Sequence, residues 1–223
     1  GTVVVYKPRP MAVDTAFDQM VTWFSDKLAH TGDLDLAVPR TINRGEYGWS
    51  EFIKPAPCSE NTEVRRFYRR QGLILLHILG GSDFHFENCI AAGEYPMLID
   101  LETLFHQLQE TKRPDAMPDG DFDVFLELNR SVMQIGLLPI PLWGTEDRPG
   151  VDLSGLGGEP GQVIPQPHGV LKDGGTDQAR IEKVDFHDLP GQLNRPTLNS
   201  EPVRTEDYIE DVVAGFNAGY EVL

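Results

Sequence analysis

The feature that most constrains the fold is an apolar segment that ends at a pair of glycines. A polar loop and then a hairpin follow it. Residues 71–79 read Gln-Gly-Leu-Ile-Leu-Leu-His-Ile-Leu, which predicts a buried helix with His77 as a packed core residue. The glycines at 80–81 favour a helix end, because glycine readily adopts the left-handed conformation that follows many helices. Residues 89–100 then predict a short β-hairpin that turns at 93–94.

The polar loop between the helix and the hairpin carries the side chains best suited to chemistry. Asp83, His85 and Asn88 lie within it, and Asp100 and Glu102 follow the second hairpin strand. Any one of these residues alone would be an ordinary turn or surface group. Their joint order is more specific, because Asp83 precedes Asn88 by five positions, as the catalytic Asp precedes the metal-binding Asn in protein kinases. The loop therefore indicates phosphoryl transfer from ATP.

Phosphoryl transfer asks the protein mainly to position the reactants and to compensate the charge of the triphosphate. Asp83 is predicted to orient and deprotonate the attacking hydroxyl, and His85 to hydrogen-bond the loop or to steady the transferring phosphate. Asn88, Asp100 and Glu102 are predicted ligands of Mg²⁺, which prefers hard oxygen donors. His85 follows Asp83 instead of preceding it, an order similar to that of phosphoinositide kinases.

The start of the chain predicts a strand and then a helix. Residues 2–7 are β-branched or aromatic up to Lys7, which is predicted to contact ATP phosphates as the small-lobe lysine of kinases does. Residues 14–30 have apolar positions at helical spacing, in the place of the kinase helix whose acid pairs with that lysine. Asp14 and Asp18 are the candidate partners of Lys7, although the position of Asp14 favours an N-cap.

Two further helices are predicted beyond the hairpin, over residues 121–135 and residues 205–222. Their candidates for burial are Phe122, Phe125, Leu126, Val132 and Met133 on the first, and Tyr208, Ile209, Val212, Val213, Phe216 and Tyr220 on the second. Residues 111–202 are otherwise rich in Gly and Pro, which predicts loops. Since this region follows Asp100 as an activation segment does in kinases, its loops are predicted to guide a peptide.

The densest basic cluster contains the four arginines Arg65, Arg66, Arg69 and Arg70. Helical spacing spreads them over more than one face. Two interpretations stay open on the sequence alone: pairing with acids on a solvated face, and contact with a phosphate or a peptide.

Composition limits the classes of partner. The 223 residues carry a net charge of −16, which argues against broad nucleic-acid binding. No apolar run reaches the roughly 18 residues of a membrane helix, and no signal peptide is visible, so we predict a cytoplasmic protein without a membrane partner. Cys58 and Cys89 are the two cysteines. They predict neither a disulfide scaffold nor a multi-thiolate zinc site.

Ordered motifs along essentially the whole chain carry a family resemblance. They are Val5-Tyr-Lys-Pro-Arg9, Tyr47-Gly-Trp-Ser-Glu-Phe52, Phe67-Tyr-Arg-Arg-Gln-Gly72, Gly80-Gly-Ser-Asp-Phe-His-Phe-Glu-Asn88, Leu98-Ile-Asp-Leu-Glu-Thr103, Asn194-Arg-Pro-Thr-Leu198 and Asp207-Tyr-Ile-Glu-Asp-Val-Val-Ala-Gly-Phe216. Together they resemble the dehydratase domain of class II lanthionine synthetases, the lipid-kinase-like enzymes of lanthipeptide (lantibiotic) biosynthesis.

The resemblance implies an α+β, protein/lipid-kinase-like fold, with a partial small lobe and a helical large lobe that holds the catalytic-loop hairpin. The implied division is a small-lobe remnant and its helix (1–55), a catalytic core (56–110), an activation-segment-like loop region (111–202) and a C-terminal helix (203–223).

The resemblance also implies a two-step activity in the bacterial cytoplasm. Such enzymes use ATP and Mg²⁺ to phosphorylate Ser and Thr in a ribosomal precursor peptide with a leader and a Ser/Thr-rich core. They then eliminate the phosphate to leave dehydroamino acids, which a covalently linked cyclase domain joins to cysteines. By motif match, Lys7 would contact ATP phosphates and Asp83 and His85 would serve phosphorylation. The metal and phosphate site would hold Asn88, Asp100 and Glu102.

The chain is expected to be a fragment of a larger enzyme and inactive alone. It begins six residues before Lys7, so upstream strands and a phosphate-covering loop are expected outside it, and the elimination residues are expected beyond Leu223. Three alternatives stay open: a kinase-like phosphotransferase without elimination, a non-catalytic peptide-binding scaffold, and a metal-dependent hydrolase built on Asp83, His85 and Asp100.

Overall fold

The structure is a computed structural model that combines α-helices with antiparallel strands. It describes residues 3–28, 35–71, 79–105, 113, 118–142, 144, 150–158, 161–162, 168–184 and 193–223. The mixed helix and strand content agrees with the α+β part of the prediction. The kinase-like lobes and the four segment boundaries stay predictions.

The described helices and strands follow one another in a mixed order. The α-helices are α1 (Ala12–Leu28), α2 (Asn61–Arg69), α3 (Asp119–Asn129) and α4 (Ile209–Val222). Single 3₁₀ turns span Phe86–Asn88, Val132–Ile135 and Thr205–Tyr208. The strands are β1 (Val4–Lys7), β2 (Thr41–Asn43), β3 (Gly48–Glu51), β4 (Cys89–Ala92), β5 (Tyr95–Leu98), β6 (Pro141–Leu142), β7 (Val151–Asp152), β8 (His168–Lys172), β9 (Arg180–Val184), β10 (Thr197–Leu198) and β11 (Glu201–Pro202).

The N-terminal sheet has the order β1-β3-β2, with Lys7 paired opposite Gly48 at the end of β1. The strand predicted at the start of the chain is therefore confirmed. Tyr6 packs with Tyr47 and Trp49, with ring centroids 6.0 Å apart in both pairs. Because successive side chains of a strand point to opposite faces, Lys7 faces away from this aromatic group.

Helix α1 begins at Ala12, so Asp14 lies within its first turn and the N-cap prediction for Asp14 is wrong. The backbone explains the difference, because Thr15 N–H already donates to Met11 O at 3.1 Å, which starts the helix before Asp14. The predicted apolar face is confirmed by its buried residues Phe17, Val21, Phe24 and Leu28. The predicted end at His30 lies outside the described residues.

The predicted hairpin is confirmed as β4 and β5, which pair antiparallel around a two-residue turn at 93–94. The predicted apolar helix before it falls mainly on residues 72–78, including His77, which lie outside the described part of the chain. Gly80 does adopt the left-handed conformation, with a φ of 64°. The core beneath the hairpin includes the fully buried rings of Phe67, Tyr68 and Phe84.

The four clustered arginines, three on α2 and one directly after it, pair with acidic side chains. Arg65 and Arg69 both donate to the buried Asp211 of α4, at 3.1 Å and 3.0 Å. Arg70 is only 4% exposed and donates to Glu94 at 2.7 Å. Arg70 also donates to Asp35, and Arg66 donates to Glu94. The acid-pairing interpretation therefore describes the cluster, but Arg70 is buried and not on a solvated face.

Helix α4 confirms half of the predicted apolar face, because Val212 is buried and Tyr208 and Phe216 pack partly buried against the core, whereas Ile209, Val213 and Tyr220 are exposed. The other buried residues are Asp211, Gly215 and Gly219. The reason is the close approach of α2, because a Cβ at Gly215 would lie 2.0 Å from the carbonyl oxygen of Arg69. Small side chains thus decide which side of α4 meets α2.

The predicted helix over residues 121–135 is two elements. Helix α3 ends at Asn129, and the 3₁₀ turn Val132–Ile135 follows. The predicted burial is wrong for Phe125, which is exposed, while Ile135 is fully buried. A second departure is the hairpin of β8 and β9, which the Gly- and Pro-rich composition did not predict. Leu171 and Ile181 form a cross-strand pair on it and are both exposed.

Two further features concern cysteines and membranes. Cys58 and Cys89 are free and buried, and burial raises the pKa of the Cys58 thiol to about 11 and that of Cys89 to about 12. In the described residues, every helix is too short or too polar to cross a bilayer.

We expect the protein to lose stability in acid through Glu94. Burial alone would raise the pKa of this carboxyl, but hydrogen bonds from Arg66 and Arg70 outweigh burial and lower it below its ordinary value of 4.5. An acid with a lowered folded-state pKa stabilises the fold above its unfolded pKa, and this contribution is lost as the pH falls through the folded value. The midpoint of urea unfolding should therefore fall between neutral pH and about pH 3. Glu94→Gln should make that decrease smaller, and an equally steep decrease in this variant would contradict the assignment.

Candidate functional site

The loop that carries Asp83 and His85 is anchored by the two phenylalanines that alternate with them. Phe84 N–H donates to Ile135 O at 3.0 Å, and Phe86 N–H donates to Leu153 O at 3.1 Å. Both phenyl rings are buried, whereas Asp83 is 62% exposed. Asp83 and His85 both remain accessible to solvent, with side chains that are 62% and 31% exposed.

The segment beneath Phe84 is held by a buried asparagine. The side-chain amide of Asn194 donates to the carbonyl oxygens of Gly155 and Gly157, at 2.9 Å and 3.0 Å. A Cβ at Gly155 would lie 2.5 Å from Phe84 O, so only glycine allows this approach. Asn194 thereby supports the loop from below, a role that sequence reasoning missed although the residue opens one of the quoted motifs.

His85 is oriented by its own loop and presents one ring nitrogen to Asp83. Glu87 N–H donates to His85 Nδ1 at 3.3 Å. Asn88 Nδ2 lies 3.4 Å from His85 Nε2, so both ring nitrogens have a partner within the loop. Nε2 lies 3.7 Å from Asp83 Oδ1. The predicted pair of Asp83 and His85 is thus brought together, with the imidazole beside the carboxylate.

Asn88 holds the backbone of Asp83. Its Nδ2 donates to Asp83 O at 2.8 Å, which leaves the Oδ1 acceptor as the atom suited to a cation. Asp83 has a φ of 65°, in the left-handed region that a non-glycine residue seldom occupies. Such a conformation persists where surrounding bonds impose it, and it is common at functional sites. The bond from Asn88 is one such constraint.

The hairpin connects this loop to Asp100. Ile99 N–H donates to Asn88 O at 3.1 Å, just beyond the last strand pair of β4 and β5. Asp100 is therefore adjacent in the chain to a residue bonded to Asn88. The hydroxyl of Thr103 donates to Ser82 O, which ties the segment after Asp100 to the start of the loop.

Lys7 and Asp100 meet across a gap of more than ninety residues. Lys7 Nζ lies 3.8 Å from Asp100 Oδ2 and donates to Ile99 O at 3.4 Å. Strand β1 therefore places its last side chain against the end of the hairpin. The structure thus brings together two predicted site residues that lie far apart in the sequence.

Arg9 is a site residue that sequence reasoning missed. It donates from Nη1 to Asp14 Oδ2 at 2.9 Å and from Nη2 to Asp100 Oδ1 at 3.1 Å, and its Nε lies 3.6 Å from Glu102 Oε2. Burial would lower the pKa of this guanidinium, but Asp14 and Asp100 outweigh burial and raise it above its ordinary value. Arg9 therefore remains charged. Its place two residues after Lys7 was the available signal.

The predicted acid partner of Lys7 on the first helix is wrong. Asp14 is 6% exposed and its carboxylate accepts from Arg9, while Asp18 is exposed to solvent. Lys7 contacts Asp100 instead. Helix α1 is thus connected to Asp100 through Arg9.

The donors that could hold magnesium are oxygen atoms of Asn88, Asp100 and Glu102. In the part of the chain that the structure describes, no group of three or more His, Cys, Asp or Glu side chains could hold a metal ion by itself. The donor set nevertheless fits Mg²⁺, which commonly takes one or two carboxylates and completes its shell with substrate phosphates and water. The assignment of these three residues as ligands stays a prediction.

Comparison with known proteins places the chain in a family. It is 28% identical over 232 residues to the lacticin 481/lactococcin biosynthesis protein LcnDR2 of Lactococcus lactis subsp. lactis. That match covers 99% of this chain and 24% of the relative, so the chain spans about a quarter of the relative's length. A family model described as a domain of unknown function, DUF4135, matches residues 1–223. The chain therefore belongs to the DUF4135 family.

Proposed function

We propose that this chain carries the phosphorylation site of a lanthipeptide-modifying enzyme. The parent protein transfers a phosphoryl group from ATP to Ser or Thr of a precursor peptide and then eliminates phosphate. The observation that carries the proposal is the contact of Lys7 with Asp100 next to the loop of Asp83, His85 and Asn88. The order of Lys7, Asp83, Asn88 and Asp100 along the chain is the order in which kinases place the residues that bind a triphosphate and activate a hydroxyl.

The relative supports the biosynthetic context, since its name refers to the biosynthesis of lacticin 481 and lactococcin. The match extends over nearly all of this chain. Because the chain covers only a quarter of the relative, the activity of the whole protein, its kinase-like fold, its cytoplasmic location and its linked cyclase domain are parts of the proposal.

In the first step, the side-chain oxygen of Ser or Thr attacks the γ-phosphorus of ATP, the bond to the β–γ bridging oxygen breaks, and ADP leaves. Asp83 orients the hydroxyl and takes its proton. His85, with Nε2 toward Asp83, steadies the loop and the transferring group. Lys7 compensates the charge of the triphosphate. Asn88 keeps the backbone of Asp83 in its left-handed conformation.

Asn88, Asp100 and Glu102 would hold Mg²⁺, which when bound neutralises the charge of the phosphates. In the second step, the α-proton of the phosphorylated residue is removed, the bond between Cβ and the phosphate oxygen breaks, and inorganic phosphate leaves. The product has a double bond between Cα and Cβ, so the sum of both steps is loss of one water. We assign no residue of this chain to the elimination.

Mass spectrometry of a precursor peptide treated with the parent protein, ATP and Mg²⁺ tests the proposal. We expect loss of one water for each modified residue, and no change with Lys7→Met. A gain of phosphate without water loss would indicate a phosphotransferase that lacks elimination. An unchanged peptide with its cognate enzyme would favour a binding scaffold. Peptide modification without ATP that a chelator abolishes would indicate a metal-dependent hydrolase.

A further inference from the structure

We propose that Arg9 is a positioning residue for the phosphorylation step, and that it holds the Asp100 carboxylate so that one oxygen stays available to the magnesium–nucleotide complex. This inference rests on the proposed function and extends it to a residue outside the predicted set. In kinases a lysine pairs directly with an acid on a helix. In this proposal the contacts of Arg9 take the place of that direct pair. The connection from helix α1 runs through Arg9 and Asp100 to Lys7.

The first argument is the geometry of the guanidinium. Arg9 directs three different nitrogens to three carboxylates, those of Asp14, Asp100 and Glu102. Such a branched set of donors in fixed directions is available to arginine but not to lysine, whose ammonium is a single point of charge. The orientation of Asp100 therefore depends on the shape of the arginine side chain as well as on its charge.

The second argument is the rigidity of the anchor. Asp14 is 6% exposed and lies in the first turn of α1, whose face with Phe17 and Val21 is packed into the core. A helix held in this way gives Arg9 a fixed point. The charges of Arg9 and Asp14 also compensate each other, so this anchor adds little net positive charge against a cation that approaches Asp100.

The third argument is that the two carboxylate oxygens of Asp100 have contacts of unequal strength. Oδ1 accepts a hydrogen bond from Arg9 at 3.1 Å, whereas Oδ2 lies 3.8 Å from Lys7, beyond hydrogen-bond range. Oδ2 is thus the less firmly held oxygen, and it would be the one available to a cation if Lys7 left its contacts with Asp100 and Ile99 O for a phosphate. Arg9 keeps the carboxylate oriented during this exchange.

The test measures the initial rate of peptide phosphorylation by the parent protein against Mg²⁺ concentration at saturating ATP. We expect Arg9→Gln to raise the half-saturating Mg²⁺ concentration at least about tenfold, the size found when supporting residues of metal ligands are removed. The KM for the peptide should not change, because Arg9 does not touch the peptide in this proposal. Arg9→Lys should fold, since it keeps the charge next to Asp14, but should not restore the Mg²⁺ dependence.

Two variants separate positioning from support of the fold. Arg40→Gln removes an 83% exposed arginine that pairs with Glu51 of the N-terminal sheet. Its Mg²⁺ dependence should match that of the wild type. The double variant Arg9→Gln/Asp14→Asn restores the charge balance around α1, and we expect it to stay impaired. Wild-type Mg²⁺ dependence in the double variant, or in Arg9→Gln, would overturn the proposal. A wild-type parent that phosphorylates no peptide would instead refute the proposed function itself.

Discussion

Asp83→Asn in the parent protein should lower the rate constant of peptide phosphorylation by about 10²–10⁴-fold, the usual contribution of a general base. Asparagine keeps the size of the side chain and tolerates the left-handed backbone of residue 83, which has a φ of 65°. It cannot accept the proton of the attacking hydroxyl. Peptide and nucleotide binding should stay nearly unchanged, because Asp83 is the base and not the anchor of either ligand. Single-turnover kinetics measure the chemical step directly.

The chain offers a matched control for this substitution. Asp173 is also an exposed aspartate with a positive φ, 52°, but it lies in the turn between β8 and β9, where its carboxylate pairs with Arg180. Asp173→Asn should leave the rate constant unchanged. If Asp83→Asn phosphorylates the peptide at nearly the wild-type rate, the assignment of Asp83 as the base is wrong.

Gly215→Ala should destabilise the fold by about 3 kcal/mol, at the upper end of the range for overpacked sites. The new methyl group would lie 2.0 Å from the carbonyl oxygen of Arg69, the last residue of α2. A backbone atom cannot turn aside as a flexible side chain can, so α2 and α4 would have to separate. That separation would also disturb the hydrogen bonds of Arg65 and Arg69 to the buried Asp211.

Urea unfolding in one protein background measures this effect, with Gly120→Ala as the control. Gly120 also lies in a helix, α3, but a Cβ there would meet nothing within 4 Å. Since alanine favours helix more than glycine does, Gly120→Ala should keep or raise the stability. Equal unfolding midpoints for the two variants would show that α2 and α4 do not pack as closely as described.

Local patterns in the sequence predicted the elements whose side chains repeat with a regular period. The strand before Lys7, the hairpin after Asn88 and the buried face of α1 are examples, and each is confirmed. The closeness of the residues in the Asp83 loop was also predictable, because residues within six positions of each other lie close together in any fold. Their chemical roles stay predictions.

The tertiary structure alone decided which charged groups meet. Arg9 pairs with Asp14 and shares Asp100 with Lys7, a set of partners that depends on how the fold places β1, α1 and the end of the hairpin. Arg70 is buried against Glu94 and not solvated.

The sequence by itself therefore determined the strand before Lys7, the hairpin after Asn88, the buried side of α1 and the group of residues in the Asp83 loop. The structure decided the partners of Arg9, the buried side of α4 and the hairpin of β8 and β9. The physical reason is the range of the interactions. Periodicity and turn propensity act between near neighbours in the chain, whereas ion pairs and helix packing join residues that only the complete fold brings within a few ångströms.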